Sequence, residues 1–139
     1  MSGLDPDLEA AKQQLLAYAT SNGYGPVITS EVRSYWKQKE LWERYISGRA
    51  QFPAARPGHS AHNWGLAFDM GLNVPAYDDV GALWQSWGGG WGGSSDPVHF
   101  ELPGASAWAA RLSEVEIGQA MGESWVGQIG LAVAPYLIW

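Results

Sequence analysis

The chain has 139 residues, of which 46% are hydrophobic and 16% charged, and its formal net charge is −6. This composition suits one folded domain and excludes a disordered polyelectrolyte, because disordered chains carry fewer apolar and more charged residues. The negative charge gives no electrostatic footprint for nucleic acid. No cysteine is present, so disulfides, thiolate zinc sites and cysteine nucleophiles are excluded, and a metal site would have to use histidine and carboxylate side chains.

Hydrophobic periodicity, prolines and glycines divide the chain into short elements. Asp5 is a candidate N-cap and Pro6 suits the first position of a helix, so a helix is expected to begin there. In chain order, the pattern predicts a helix from Pro6 to about Gly23, a strand over 26–30, a helix over 35–47, a loop over 49–61, a strand over 66–70, a short helix or turn over 77–86, a loop over 88–95, a strand over 98–102 and a helix over 106–121. This order predicts an α+β fold in which helices flank a small antiparallel sheet.

One domain is expected to cover residues 1–139. Its last segment, residues 122–139, is apolar, but glycine and proline interrupt it and it is shorter than the roughly 20 residues that cross a bilayer. We therefore predict no transmembrane segment, and expect this tail to pack on the domain or on a partner, with membrane contact as the alternative. Residues 1–9 are acidic and lack an apolar run, so no signal peptide is predicted.

The first candidate pair of metal ligands is His62 and Asp69, which lie seven positions apart. An odd separation puts two side chains on opposite faces of an uninterrupted strand. A turn at residues 63–65 would change this parity and bring both side chains to one site, and Gly65 can adopt the backbone angles that such a turn requires.

A second candidate group lies on the strand over 98–102, where His99 and Glu101 share the polar face. Pro97 keeps Asp96 out of the strand ladder, so Asp96 can reach toward the site from the preceding loop. Asp96 is the first candidate for the carboxylate that transfers a proton, and Glu101 is the second.

Two imidazoles and one carboxylate suit Zn²⁺ and leave a fourth position open for water, which is typical of catalytic rather than structural zinc. On spacing alone, a chance grouping of structural histidines remains an alternative. A pair formed by His59 and His62, three positions apart, is a second way to build a metal site.

Two motifs resemble those of the LAS zinc peptidases, which comprise the lysostaphin, D-Ala-D-Ala metallopeptidase and hedgehog-like folds. The first is Ser60-x-His62-x-x-Gly65-x-Ala67-x-Asp69, and the second is Asp96-x-x-His99. The tryptophan- and glycine-rich stretch 87–93, followed by Asp96-Pro97-Val98-His99-Phe100-Glu101, is most similar to phage-type L-alanyl-D-glutamate endopeptidases. The resemblance covers roughly residues 24–103.

The resemblance implies a role for each matching residue. His62, Asp69 and His99 would be the zinc ligands, and Asp96 would be the catalytic acid/base. Arg33 resembles the arginine that lies near the substrate carbonyl, where a fixed guanidinium can stabilise an oxyanion; a surface salt bridge is the alternative.

Four further residues lie in or beside the motifs. Ser60 is expected to bind substrate or to shape its loop, and Trp64 to stack on substrate or to pack in the core. Glu101 is expected to support the site from behind a ligand. The motif assigns His59 no role, and we expect it to be an exposed loop residue.

The resemblance implies a zinc metallopeptidase that hydrolyses the L-Ala–D-Glu bond of the peptidoglycan stem peptide. A phage endolysin or virion-associated enzyme, made in the host cytoplasm and acting on the cell wall, fits this activity. A D-Ala-D-Ala carboxypeptidase or dipeptidase is the main alternative. A non-catalytic, zinc-containing binding module is another.

Overall fold

The computed structural model describes residues 3–122, in which helices flank a four-stranded sheet. The strands are β1 (Val27–Ser30), β2 (Ala67–Gly71), β3 (Gly90–Trp91) and β4 (His99–Glu101). The helices are α1 (Pro6–Ser21), α2 (Tyr35–Ile46), α3 (Tyr77–Ser86), α4 (Ala105–Ala110) and α5 (Glu114–Ile117), with 3₁₀ turns at Ala61–Trp64 and Gly93–Ser95 and a π-helical turn at Gly118–Gly122. The spatial order of the strands is β1-β2-β4-β3 and every pair is antiparallel. The predicted α+β class with a small antiparallel sheet is confirmed.

Helices α1 and α2 begin at side-chain caps. The Asp5 carboxylate accepts hydrogen bonds from the backbone N–H groups of Asp7 (2.9 Å) and Leu8 (3.2 Å), as its position before Pro6 predicts. The Ser34 hydroxyl caps α2 by accepting from the Lys37 N–H at 3.0 Å. The start of each helix is therefore determined by residues close to it in sequence.

Alternation along the two central strands separates a core face from a site face. Phe68 of β2 and Phe100 of β4 are register partners, are fully buried, and stack with ring centroids 5.4 Å apart. Their face packs on apolar side chains of α1 and α3, including Leu8, Leu15 and Trp84. The residues next to these phenylalanines along each strand, such as Asp69 on β2 and His99 on β4, point to the opposite face of the sheet, which can carry polar groups.

Two predicted elements differ from the structure. The predicted loop 88–95 contains strand β3, whose Trp91 pairs with Phe100. The Trp91 ring packs closely against α3, where a Cβ at Gly81 would come within 2.3 Å of it. The predicted helix 106–121 is interrupted, and a capping box formed by Ser113 and Glu116 starts α5.

The predictions for the apolar tail 122–139 fall outside the described residues, apart from Gly122. Over residues 3–122, no helix has the length and apolar character required to cross a bilayer.

Candidate metal centre

The register of the sheet brings two of the predicted metal ligands together. Asp69 on β2 is the direct cross-strand partner of His99 on β4, and directly opposed side chains on one face lie within contact distance. Asp69 Oδ1 is 3.6 Å from His99 Nδ1. These two residues therefore meet through strand pairing, thirty positions apart in sequence.

The third predicted ligand, His62, comes from the 3₁₀ turn at Ala61–Trp64. The Ser60 hydroxyl caps this turn by accepting from the His62 N–H at 3.2 Å. Gly65 ends the turn in the left-handed conformation (φ 71°), and a Cβ there would lie 2.6 Å from the carbonyl oxygen of Gly3. His62 Nε2 then lies 3.2 Å from Asp69 Oδ1, so the predicted turn at 63–65 is confirmed.

The other ring nitrogen of each histidine is held by an acceptor. His62 Nδ1–H donates to the carbonyl oxygen of Glu31 at 2.8 Å, and His99 Nε2–H donates to the Glu101 carboxylate at 2.6 Å. Since both partners only accept, the remaining nitrogens, His62 Nε2 and His99 Nδ1, are directed toward Asp69. Glu101 also accepts from the backbone N–H (2.9 Å) and the hydroxyl of Ser106. Glu101 thus lies behind a candidate ligand, which is the supporting position predicted for it.

Glu31, which orients His62, is anchored to α1 by Lys12. The Lys12 ammonium is buried (6% exposed) and contacts the carboxylates of Glu9 (2.9 Å) and Glu31 (2.5 Å). Burial by itself lowers the pKa of Lys12, but hydrogen bonds to the two carboxylates outweigh it and raise the pKa. The first helix therefore supports the candidate site although it supplies none of its ligands.

The three side chains fit the geometry of a zinc site. Within the described part of the chain, His62, Asp69 and His99 form the group that could hold a metal ion, and one ligand atom from each lies within 4.8 Å of the others. A tetrahedral zinc site with bonds of about 2.0–2.1 Å has ligand–ligand separations of about 3.4 Å. The distances from Asp69 Oδ1 to the two imidazoles, 3.2 and 3.6 Å, bracket this value.

The charges of these groups are strongly coupled. Burial alone raises the pKa of Asp69, but hydrogen bonds from His62 and His99 outweigh burial and hold that pKa well below its usual range. For His99, burial lowers the pKa, and hydrogen bonds to Asp69 and Glu101 more than reverse this and raise it to about 9. Asp69 and Glu101 therefore stabilise positive charge on the His99 imidazole.

Arg33 is fixed beside the candidate ligands. Its guanidinium donates to the Ser30 hydroxyl (2.9 Å) and the Gln38 side-chain oxygen (3.0 Å), and lies 3.7 Å from Asp69 Oδ2. Burial lowers the pKa of Arg33, opposed by the negative charges of Asp69 and Asp96. Gln38 was not identified from the sequence. It is 1% exposed, and its side-chain amide also donates to the Ala55 carbonyl at 2.7 Å.

Asp96 follows the 3₁₀ turn at Gly93–Ser95 and lies outside the strand ladder, as predicted. Its side chain lines the same cleft as the three candidate ligands. Partial burial raises the pKa of Asp96, while the nearby His99 opposes this increase. The position of Asp96 depends on close packing with Gly92, where a Cβ would come within 2.1 Å of the Asp96 carbonyl oxygen and 2.9 Å of its Cβ.

Gly92→Ala is expected to displace Asp96 without removing a candidate ligand. If Asp96 carries the proton as the motif implies, its misplacement by about 1 Å is expected to lower kcat about 10- to 100-fold, because catalysis depends on exact positioning, and to leave the metal content of the protein unchanged. Gly118→Ala is the matched control, because Gly118 has helical angles and no atom within 4 Å of an added Cβ. Equal rates for the two variants would contradict a role for this packing.

The candidate ligands open onto a cleft of about 890 Å³. It is lined by side chains of α2, by the loop 50–55 and by residues 95–98. Ser60 also lines the cleft. An open cleft of this size can admit a peptide in an extended conformation.

The stacking role considered for Trp64 and the exposed position expected for His59 are wrong. Trp64 is fully buried, its indole N–H donates to the Gly58 carbonyl at 2.9 Å, and its ring packs edge-on against Trp108. It therefore belongs to the core and cannot stack on substrate. His59 is only 14% exposed, because its ring nitrogens contact the Ala109 carbonyl (3.2 Å) and Glu114 (3.1 Å).

Asn63 is a further residue that was not identified from the sequence. It is 1% exposed and donates to the Arg33 carbonyl at 2.9 Å, while its side-chain oxygen accepts from the N–H groups of Gly58 (3.0 Å) and Ser60 (3.3 Å). A polar residue three positions after Ser60 is the signal that could have revealed this capping arrangement. Asn63 joins the segment that carries His62 to the segment that carries Arg33.

Comparison with known sequences gives two matches. The profile of the VanY family, described as D-alanyl-D-alanine carboxypeptidase, matches residues 1–84. The peptidoglycan L-alanyl-D-glutamate endopeptidase CwlK of Bacillus subtilis (strain 168) is 31% identical over 128 residues, covering 91% of this chain. The chain spans 66% of the length of that relative, slightly under two thirds.

Solved structures share the fold. The L,D-carboxypeptidase DacB of Streptococcus pneumoniae has a TM-score of 0.56 and 26% identity, over 81% of this chain and 75% of that chain. The vancomycin-resistance D,D-pentapeptidase VanY of a VanB-type cassette, in complex with Zn(II), has a TM-score of 0.58 and 20% identity, over 78% of this chain and 79% of that chain.

Proposed function

Because the chain belongs to the VanY family, we propose that it is a zinc-dependent peptidase that hydrolyses the L-Ala–D-Glu bond of the peptidoglycan stem peptide. One observation carries the proposal: two imidazoles, a carboxylate between them and a separate carboxylate, Asp96, open onto a single cleft. The 31% identity to an L-alanyl-D-glutamate endopeptidase supports this choice of bond.

His62, Asp69 and His99 would hold the zinc ion through Nε2, a carboxylate oxygen and Nδ1. Their spacing and the orientation of both rings by Glu31 and Glu101 support this assignment. When bound, zinc supplies Lewis acidity, which polarises the scissile carbonyl and lowers the pKa of an attacking water. The Zn(II) complex of a protein with the same fold adds support for this metal.

Asp96 would move the proton. Its carboxylate takes a proton from the attacking water and passes it to the nitrogen of the leaving amine. The raised pKa of Asp96 favours its acceptance of a proton compared with an ordinary aspartate. No other described carboxylate in the cleft is free for this role, because Asp69 is held between the two histidines.

Arg33 and Ser60 would position the substrate. The guanidinium uses N–H groups to contact Ser30 and Gln38, and its remaining donors can stabilise the negative charge that develops on the carbonyl oxygen. The Ser60 hydroxyl accepts from the His62 N–H, so its own O–H can donate to a substrate carbonyl. Ser60 would thus combine the two roles considered for it.

Digestion of purified sacculi tests the bond. Endopeptidase action at L-Ala–D-Glu leaves L-alanine on the glycan and releases peptides with a free D-glutamate amine, which mass spectrometry identifies. The Asp96→Ala protein serves as the control for contaminating hydrolases. Release of D-alanine alone, with intact L-Ala–D-Glu bonds, would refute the endopeptidase assignment.

A D-Ala-D-Ala carboxypeptidase is the second candidate, favoured by the description of the matching family. The same digest separates the two, because a carboxypeptidase shortens pentapeptide stems and leaves the sacculus insoluble. Action on the cell wall from a phage endolysin or virion component is a further proposal, supported by the likeness of the stretch 87–101 to phage enzymes.

A further inference from the structure

Helix α2 presents one row of side chains to the cleft. Gln38, Leu41 and Arg44 are spaced three residues apart, and all three line it. Gln38 is hydrogen-bonded to Arg33 and so marks the end of the row beside the candidate metal centre. Arg44 lies at the other end of the row.

Arg44 differs from the other cations of this helix because no ion-pair partner for it lies within residues 3–122. Lys37 lies 3.4 Å from Glu40, and Lys39 lies 3.8 Å from Glu43. No carboxylate of residues 3–122 is within ion-pair distance of the Arg44 guanidinium, which is exposed at the cleft wall. A cation that lines a binding cleft and has no ion-pair partner in the described part of the chain can pair with an anionic group of a ligand.

The spacing along α2 indicates where that anionic group would be. Gln38 and Arg44 are six positions apart in α2, which corresponds to about 9 Å at a rise of about 1.5 Å per residue. An extended peptide advances about 3.3–3.6 Å per residue. Arg44 therefore lies about two to three substrate residues away from the centre that Arg33 and Gln38 flank.

We propose that Arg44 binds a free carboxylate of the stem peptide, two to three residues beyond the scissile bond. This inference rests on the proposed function. Two carboxylates of the stem have about this separation from the L-Ala–D-Glu bond: the side-chain carboxylate of a diaminopimelate at the third position, and the carboxyl terminus of the D-alanine that follows. Arg44 would make the enzyme favour stems in which that carboxylate is free over stems in which it is amidated.

Three synthetic tetrapeptides, L-Ala-γ-D-Glu-diaminopimelate-D-Ala, test this proposal. The first carries a free diaminopimelate side-chain carboxylate and a free carboxyl terminus. In the second only the carboxyl terminus is amidated, and in the third both of these groups are amidated. Arg44→Ala is expected to raise KM about tenfold for the first peptide, with kcat within about twofold of wild type, because one charge-assisted contact is lost. KM for the doubly amidated peptide should not change. The singly amidated peptide shows which carboxylate is bound.

Arg49→Ala is the matched control, because it removes the same charge just beyond α2 from a side chain that bonds Ser47 and does not line the cleft. An equal rise of KM for all three peptides, or no rise for any, would overturn the proposal. Failure of the proposed function would appear separately, as wild-type protein that cleaves none of the peptides. Binding of the same peptides to Asp96→Ala protein, with and without Arg44→Ala, still tests Arg44 in that case.

Discussion

Asp96→Asn is expected to lower kcat about 10²- to 10⁴-fold and to leave the zinc content of the protein unchanged. Asparagine keeps the size of the side chain but cannot take a proton from water or return it to an amine. Asp96 makes no side-chain hydrogen bond with the candidate ligands, so the metal centre should keep its geometry. Steady-state rates on sacculi and elemental analysis of the same preparation measure both quantities.

The Asp96→Asn variant also separates catalysis from binding. A non-catalytic module that uses zinc for structure would bind cell-wall peptide equally well before and after the substitution, and would show no lysis in either form. Asp78→Asn is the matched control, since it makes the same change at an exposed residue of α3 that does not line the cleft. Wild-type rates in the Asp96→Asn protein would remove Asp96 from the mechanism.

His62→Gln is expected to abolish stoichiometric zinc binding and to lower activity by at least about 10³-fold. The loss follows because a two-ligand site holds the metal weakly, and the Lewis acid contributes several kcal/mol to stabilisation of the transition state. Glutamine is chosen because it can still donate to the Glu31 carbonyl, which His62 contacts at 2.8 Å. Zinc measured after dialysis, together with sacculus lysis, tests this expectation.

His59→Gln provides the matched control for the histidine prediction. His59 contacts Ala109 and Glu114, and it is outside the group of described residues that could hold a metal. Its replacement should therefore leave zinc content and lysis at wild-type levels. Loss of zinc in His59→Gln together with retention in His62→Gln would reverse the assignment of ligands.

Removal of zinc by a chelator should likewise stop lysis in the wild type, and added zinc should restore it.

Features with a local physical cause could be predicted from the sequence. Asp5 before Pro6 determines the start of α1, because a carboxylate at an N-cap satisfies N–H groups only two and three residues away. The alternation around His99 places Glu101 on its side of β4, where the two side chains hydrogen-bond at 2.6 Å. Gly65 marks the turn that brings His62 toward Asp69. Each of these depends on the spacing of neighbouring residues.

Features that depend on distant partners could not be predicted. Trp64 is buried because Trp108 packs against it, and nothing close to Trp64 in sequence indicates that contact. Strand β3 forms in a glycine-rich stretch because Trp91 pairs with β4, where hydrogen bonds to a neighbouring strand outweigh weak local propensity. Gln38 links Arg33 to Ala55 through contacts that no periodicity encodes.

By itself, the sequence determined the α+β class and the candidate ligands His62, Asp69 and His99, because helix caps, strand alternation and motif spacing are local properties. Only the tertiary structure decided how those residues meet. Strand register places Asp69 directly opposite His99 and beside Ser30, which holds Arg33. Packing decided which aromatic side chains are core, and left Arg44 open on the cleft wall. These outcomes depend on contacts between segments far apart in the chain. Local sequence patterns do not encode the free energy of such contacts.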